Sequence, residues 1–180
     1  MIRRYTRPVL GALFEESTRY GIWWEVELAH LETLEQAGIA PPGTASEARR
    51  RGRFPPERID ELERELHHDV VAFLTAVGES LGPEKAWVHY GMTSSDLVDT
   101  AQAIQIARAR APIRESLRGV GARLRHLALA HRETLCVGRT HGVHAEPTSF
   151  GFKMLGWYAE FGRRSEGLSR AFRNLAFGKI

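Results

Sequence analysis

Apolar residues recur along most of this chain at three- and four-residue steps, the spacing that places side chains on one face of an α-helix. Tyr20, Trp24, Leu28, Leu31 and Leu34 form the first long stripe and predict a helix from Glu15 onward, with Gly38 as its stop. Ahead of it Pro8 opens a short helical turn, and residues 1–7 are expected to be extended or irregular. Trp23 and Trp24 fit core or interface better than a ligand platform. Beyond the Pro41-Pro42-Gly43 loop, Thr44 or Ser46 is placed to cap a short basic helix ending near Gly52. Ile59, Leu62, Leu66, Val70, Phe73, Val77 and Leu81 then predict one long helix, ended by Gly82-Pro83.

After a short linker, Trp87 to Met92, the run Thr93-Ser94-Ser95-Asp96 opens the next helical pattern. Its first stripe is Leu97, Ala101 and Ile104; its second is Ile113, Leu117, Val120, Leu124 and Leu127. Pro112 lies between them, which predicts two helices or one kinked helix joined near Ala111. Phe150, Met154, Trp157, Phe161, Leu168, Phe172 and Leu175 carry a last amphipathic helix to about Asn174. No segment reads as a strand. Gly138, Gly142 and Pro147 interrupt the stretch from Gly138 to Gly151, which is expected to be a polar loop between rigid helices. The fold class that follows is all-α, a bundle of long helices with short polar connections.

Composition narrows the function classes. A hydrophobic fraction of 43% over 180 residues is ordinary for a globular chain able to bury a core. No apolar run of transmembrane length and no signal-peptide pattern is present, so no membrane partner is expected. One cysteine, Cys136, excludes an internal disulfide and makes a reducing cytoplasm the expected location. The net charge of +3 raises nucleic acid as a partner, yet the one local cluster, Arg49-Arg50-Arg51-Gly52-Arg53, lacks aromatics for base stacking and reads as a solvated face.

Three polar clusters break the helical pattern, and long helices can bring such distant segments together at their ends. The first is His67-His68-Asp69, read from its residue types as a solvent-facing histidine pair because no further metal ligands accompany it. The second, His89 to Asp96, holds Thr93, Ser94, Ser95 and Asp96. These serve equally as a helix cap and as a helix N-terminus that binds carboxylate or phosphate. The third, Arg139 to Ser149, contains His141 and His144, whose spacing does not make a recognised zinc site. A histidine there suits acid-base work, since its unperturbed pKa lies near neutrality. No serine sits on a nucleophile-elbow pattern.

Taken in order, His67-His68-Asp69-Val70-Val71-Ala72-Phe73, His89-Tyr90-Gly91-Met92-Thr93-Ser94-Ser95-Asp96 and Gly138-Arg139-Thr140-His141-Gly142-Val143-His144-Ala145-Glu146-Pro147 resemble the adenylosuccinate lyase family of the fumarase/aspartase superfamily. Arg4-Tyr5 and Phe177-Gly178-Lys179-Ile180 fit the same pattern, so the resemblance runs from end to end. It implies an N-terminal helical domain over 1–92 and the incomplete start of a central helical-bundle domain over 93–180. It further implies a homotetramer with active sites shared between subunits, and no cofactor or metal. The implied reaction takes a small nucleotide substrate: fumarate is eliminated from adenylosuccinate to give AMP, and from the succinylated carboxamide ribotide of purine synthesis.

Carried over by motif, His141 is the general acid that protonates the leaving nitrogen, and His68 assists it. Arg4, Tyr5 and His89 hold the phosphate and ribose, Thr93 and Ser94 bind succinyl carboxylate, and Thr140 contacts substrate beside His141. Family members are more than twice as long, and the resemblance places the serine general base on a mobile loop beyond the stretch matched here. The 180-residue stretch alone is therefore expected to be inactive. Two alternatives stand beside this reading: a sister fumarate-releasing lyase of the argininosuccinate lyase kind, or a non-catalytic helical assembly module.

Overall fold

The computed structural model describes residues 2–179; Ile180, which closes the terminal motif, lies outside the described residues. The chain divides into two compact units. One runs to Arg108 and includes the residues from Ala176 onward; the other is Ala109–Leu175.

The first unit opens with a 3-10 turn, Arg3–Tyr5, where an irregular start was expected. Helix α1, Pro8–Gly11, begins on its proline, and α2, Glu16–Gln36, follows with the predicted stripe buried. Gly38 turns the chain away with φ of 70°. α3, Thr44–Arg51, is preceded by Gly43 in the left-handed conformation, and neither candidate hydroxyl caps it. Instead Thr44 Oγ1 donates to the Pro41 carbonyl at 2.7 Å and Ser46 Oγ to the Gly43 carbonyl at 2.9 Å, so both tighten the turn. The arginines of α3 pair with acids: Arg49 with Glu32 at 2.6 Å, Arg50 with Glu47 at 2.6 Å.

The predicted helix over the second stripe is two helices, α4, Pro56–Leu66, and α5, Asp69–Ser80. His67 ends α4 with φ of 52°, its N–H donating to Glu63 O at 2.8 Å. His68 then starts α5 as an extended N-cap whose Nδ1 accepts from the Val71 N–H at 3.4 Å. Histidine chemistry at the helix ends, invisible to periodicity, accounts for the break. Leu62 and Val70 remain buried across it, while Leu66 is exposed.

The core of this unit is aromatic. Phe73 stacks on Tyr20 with ring centroids 5.8 Å apart and meets Trp23 edge-on at 5.3 Å, and Leu31, Ile59 and Leu97 are fully buried around them. Such contacts add to the apolar burial that drives collapse.

Helix α6, Ser94–Ala130, runs unbroken with Pro112 inside it, so the chain does not divide into two helices near Ala111. The proline removes one backbone donor without ending a helix this long. In the second unit α6 is followed by two strands, β1, Leu135–Thr140, and β2, Val143–Ser149, and then by α7, Phe150–Asn174. The polar loop is therefore an antiparallel hairpin. The glycines that argued against a strand occupy its turn and its irregularity: Gly142 sits at the tip with φ of 75°, and Gly138 falls where the register shifts between Val137 and Arg139. Pro147, paired with Val137, is tolerated because each strand of a two-stranded hairpin has an open edge. No helix of the described residues is long and apolar enough to cross a membrane.

Candidate active site

His141 and Gly142 form the two-residue connection of the hairpin, Thr140 pairing with Val143 on either side. Both connecting residues have positive φ, 51° and 75°, the type I′ pattern that matches the twist of the strands. Thr140, His141 and His144 are all exposed. The base of the hairpin is fixed to its flanking helices. Phe150 N–H donates to Thr134 O and Gly151 N–H to His131 O, each at 2.8 Å, and the His131 ring meets Phe150 edge-on at 5.3 Å. Gly151 permits this approach, since a Cβ there would collide with the Ala128 carbonyl and lie 2.6 Å from Arg132 backbone atoms. Ser149 Oγ accepts from the Phe152 N–H at 3.1 Å and caps α7. The imidazole of His141 is thus carried on a short, doubly anchored arm.

In the first unit His89 also has positive φ, 63°, and its imidazole is largely buried. Its ring Nδ1 lies 2.6 Å from Glu27 Oε1, and its backbone N–H donates to Glu27 Oε2 at 2.8 Å. Glu27 is completely buried. One helical step further along α2, His30 Nε2 lies 2.7 Å from the Tyr90 carbonyl oxygen.

Thr93 precedes α6, its N–H donating to Asp96 Oδ2 at 2.8 Å while Asp96 N–H returns to Thr93 O at 2.9 Å. That local pairing is half of a capping box. Among the described residues the amides of Ser94 and Ser95 and the hydroxyls of Thr93 and Ser94 make no further hydrogen bond, which leaves donors at the start of a 37-residue helix. Arg4 lies over the Tyr5 ring at 4.8 Å, with Tyr5 exposed.

The candidate residues divide between the units. Arg4, Tyr5, His68, His89, Thr93 and Ser94 belong to the first; Thr140 and His141 belong to the second. His89, Thr93 and Ser94 share one turn-to-helix junction, whereas His68 occupies the α4–α5 joint. Among the described residues, the non-glycine residues with left-handed backbone are His67, His89 and His141, one in each polar cluster. Such conformations cost free energy and collect at functional sites. No three His, Cys, Asp or Glu among the described residues stand together as metal ligands.

Glu27 escaped the reading of the sequence. Its signal is present nonetheless: it sits three residues after Trp24 and four before Leu31, an acid on a buried stripe.

The chain is 41% identical over all 180 residues to an adenylosuccinate lyase of Synechocystis and 42% identical to that of Streptococcus mutans, covering 42% of each. It therefore spans less than half the length of these curated relatives. A fumarate lyase crystal structure from Mesorhizobium superposes with a TM-score of 0.89 at 26% identity, over 95% of this chain and 41% of that one. The 3-carboxy-cis,cis-muconate lactonizing enzyme of Pseudomonas putida shares the fold with a TM-score of 0.85 at 24% identity, over the same shares of the two chains. The lyase family model matches residues 9–180, nearly everything described above, and the chain belongs to that family.

Proposed function

We propose that the complete protein is an adenylosuccinate lyase, eliminating fumarate from adenylosuccinate to leave AMP and from the succinylated carboxamide ribotide in purine synthesis. The observation that carries this reading is the identity of about two residues in five, without a gap in coverage, to relatives bearing that name.

The reaction breaks a carbon–nitrogen bond while a proton leaves the neighbouring carbon. The departing nitrogen needs a proton of its own, and His141 supplies it as general acid, with His68 assisting. Thr140, next to His141 at the hairpin tip, contacts the substrate. Hydroxyls and free amides at the start of α6 suit a succinyl carboxylate, which gives Thr93 and Ser94 their role. His89, Arg4 and Tyr5 hold phosphate and ribose through cationic and aromatic groups. Stabilising the dianion that develops beside the carboxylate carries much of the rate.

The working assembly is a cytoplasmic homotetramer with sites shared between subunits, in which residues 1–92 form an N-terminal domain and 93–180 begin the central bundle. The exposed apolar residues of α7 support association, because contiguous apolar patches mark interaction surfaces.

In the full-length protein, His141→Ala is expected to lower kcat about 10²- to 10⁴-fold with assembly intact, measured as fumarate release and by size determination. Near-normal turnover in that variant would remove His141 from the mechanism. A substrate panel that includes argininosuccinate separates this reading from a sister lyase.

A further inference from the structure

We propose that Glu27 is a positioning residue: its buried carboxylate sets both the backbone and the imidazole of His89, so that the ring meets the anionic part of the nucleotide through Nε2. This rests on the proposed function, which places His89 at phosphate and ribose.

A carboxylate inside an aromatic and aliphatic core is costly unless its oxygens are satisfied. Glu27 is fully buried, and the N–H donors that satisfy it come from one residue 62 positions away. Oε2 takes the His89 backbone N–H at 2.8 Å and Oε1 faces Nδ1 at 2.6 Å. An ionised carboxylate only accepts, so the ring nitrogen opposite it carries a proton. Nδ1 is then committed to Glu27, and the ring orientation follows from that contact. Nε2 is left as the remaining polar atom of the imidazole, without a hydrogen bond among the described residues, on a side chain that is 17% exposed. In the doubly protonated ring that atom is a charge-assisted donor to a phosphate oxygen.

The backbone tells the same story. His89 has φ of 63°, a conformation that side-chain-bearing residues adopt only where their surroundings impose it. Glu27 takes its N–H, and His30, one turn along α2, lies against the carbonyl of Tyr90 at 2.7 Å. Two residues of one helix thereby grip consecutive residues of the turn. A core helix with no task beyond packing would satisfy this position with an apolar side chain.

The test uses the full-length enzyme with Glu27→Gln, His89→Gln and the double variant. Glutamine keeps one acceptor for the backbone N–H but sets an amide NH₂ against the ring N–H. Glu27→Gln is expected to raise KM for adenylosuccinate about tenfold with kcat within about twofold. KM for the substrate lacking its phosphate should stay within about twofold, because the phosphate contact is the one lost. In the His89→Gln background the same change should add less than about twofold, the mark of a residue that acts through its partner. Should Glu27→Gln fail to assemble, Glu27→Asp, a carboxylate on a shorter stem, takes its place in the same cycle with the same expected directions.

An unchanged KM, or a penalty as large in the His89→Gln background as in the wild type, would overturn the role of Glu27. Absence of adenylosuccinate cleavage by the wild-type enzyme would instead overturn the proposed function.

Discussion

The two units hide their apolar residues very differently. In the first, Tyr20, Ile22, Trp23, Leu31, Phe73 and Val77 are all within 2% of complete burial and close a core of their own. In the second, the apolar side chains buried among the described residues are Ala109, Ala128, Met154 and Phe172, while Phe152, Leu155, Trp157 and Tyr158 stand exposed on α7. Both units have the same helical periodicity. Periodicity states which face is apolar; it does not state what covers that face.

Truncation is the strongest way to break this contrast. In the 180-residue stretch by itself, Phe73→Ala is expected to cost about 3–5 kcal/mol, while Trp157→Ala stays within about 0.5 kcal/mol, both read from denaturant unfolding. Equal costs would mean that the α7 face is covered after all. A smaller effect tests whether the second unit has a tight point despite its open face. Gly151→Ala sets a Cβ against the backbone of Ala128 and Arg132, atoms that cannot swing aside. A loss of about 1–3 kcal/mol is expected, together with faster proteolysis in the hairpin.

The smallest effect is a matter of pH and belongs to the first unit. Glu84 is buried, and the Gly82 N–H, donating at 3.0 Å, holds its carboxyl below the usual range. Its own backbone N–H and the Arg51 guanidinium, 3.6 Å away, act in the same direction against the cost of burial. A folded-state value below the unfolded one adds stability above the ordinary glutamate range, and that stability is lost as pH falls through the lowered value. Glu84→Gln should therefore lower the unfolding midpoint near neutrality, and the gap to wild type should close in acid. A gap that persists in acid would assign Glu84 a packing role only.

The long stripes made α2 and α7 legible because burial and helix period coincide over many turns. Three features were not legible, each for its own reason. The α4–α5 break depends on one residue, His67, adopting a left-handed backbone, and composition gives no sign of it. Pro112 suggested an interruption, yet one missing donor does not end a helix held on both sides by many others. The hairpin was concealed by its own punctuation, since Gly138, Gly142 and Pro147 read as breakers until the register gives each a place. The candidate site residues are visible in the sequence by their chemical type, whereas Glu27 is not, because its partner lies 62 positions away.

The hairpin tip has a bearing on how position 141 can vary. With φ of 51° it admits glycine freely and asparagine, aspartate or histidine at a smaller cost than other side chains, and penalises β-branched or bulky residues most. The general-acid role proposed for His141 adds a second, independent filter, proton donation near neutrality, and histidine is the side chain that passes both. Substitution data here will therefore mix two penalties unless they are separated. Asparagine, which keeps the backbone content while removing the titrating ring, is the replacement that reports on chemistry alone.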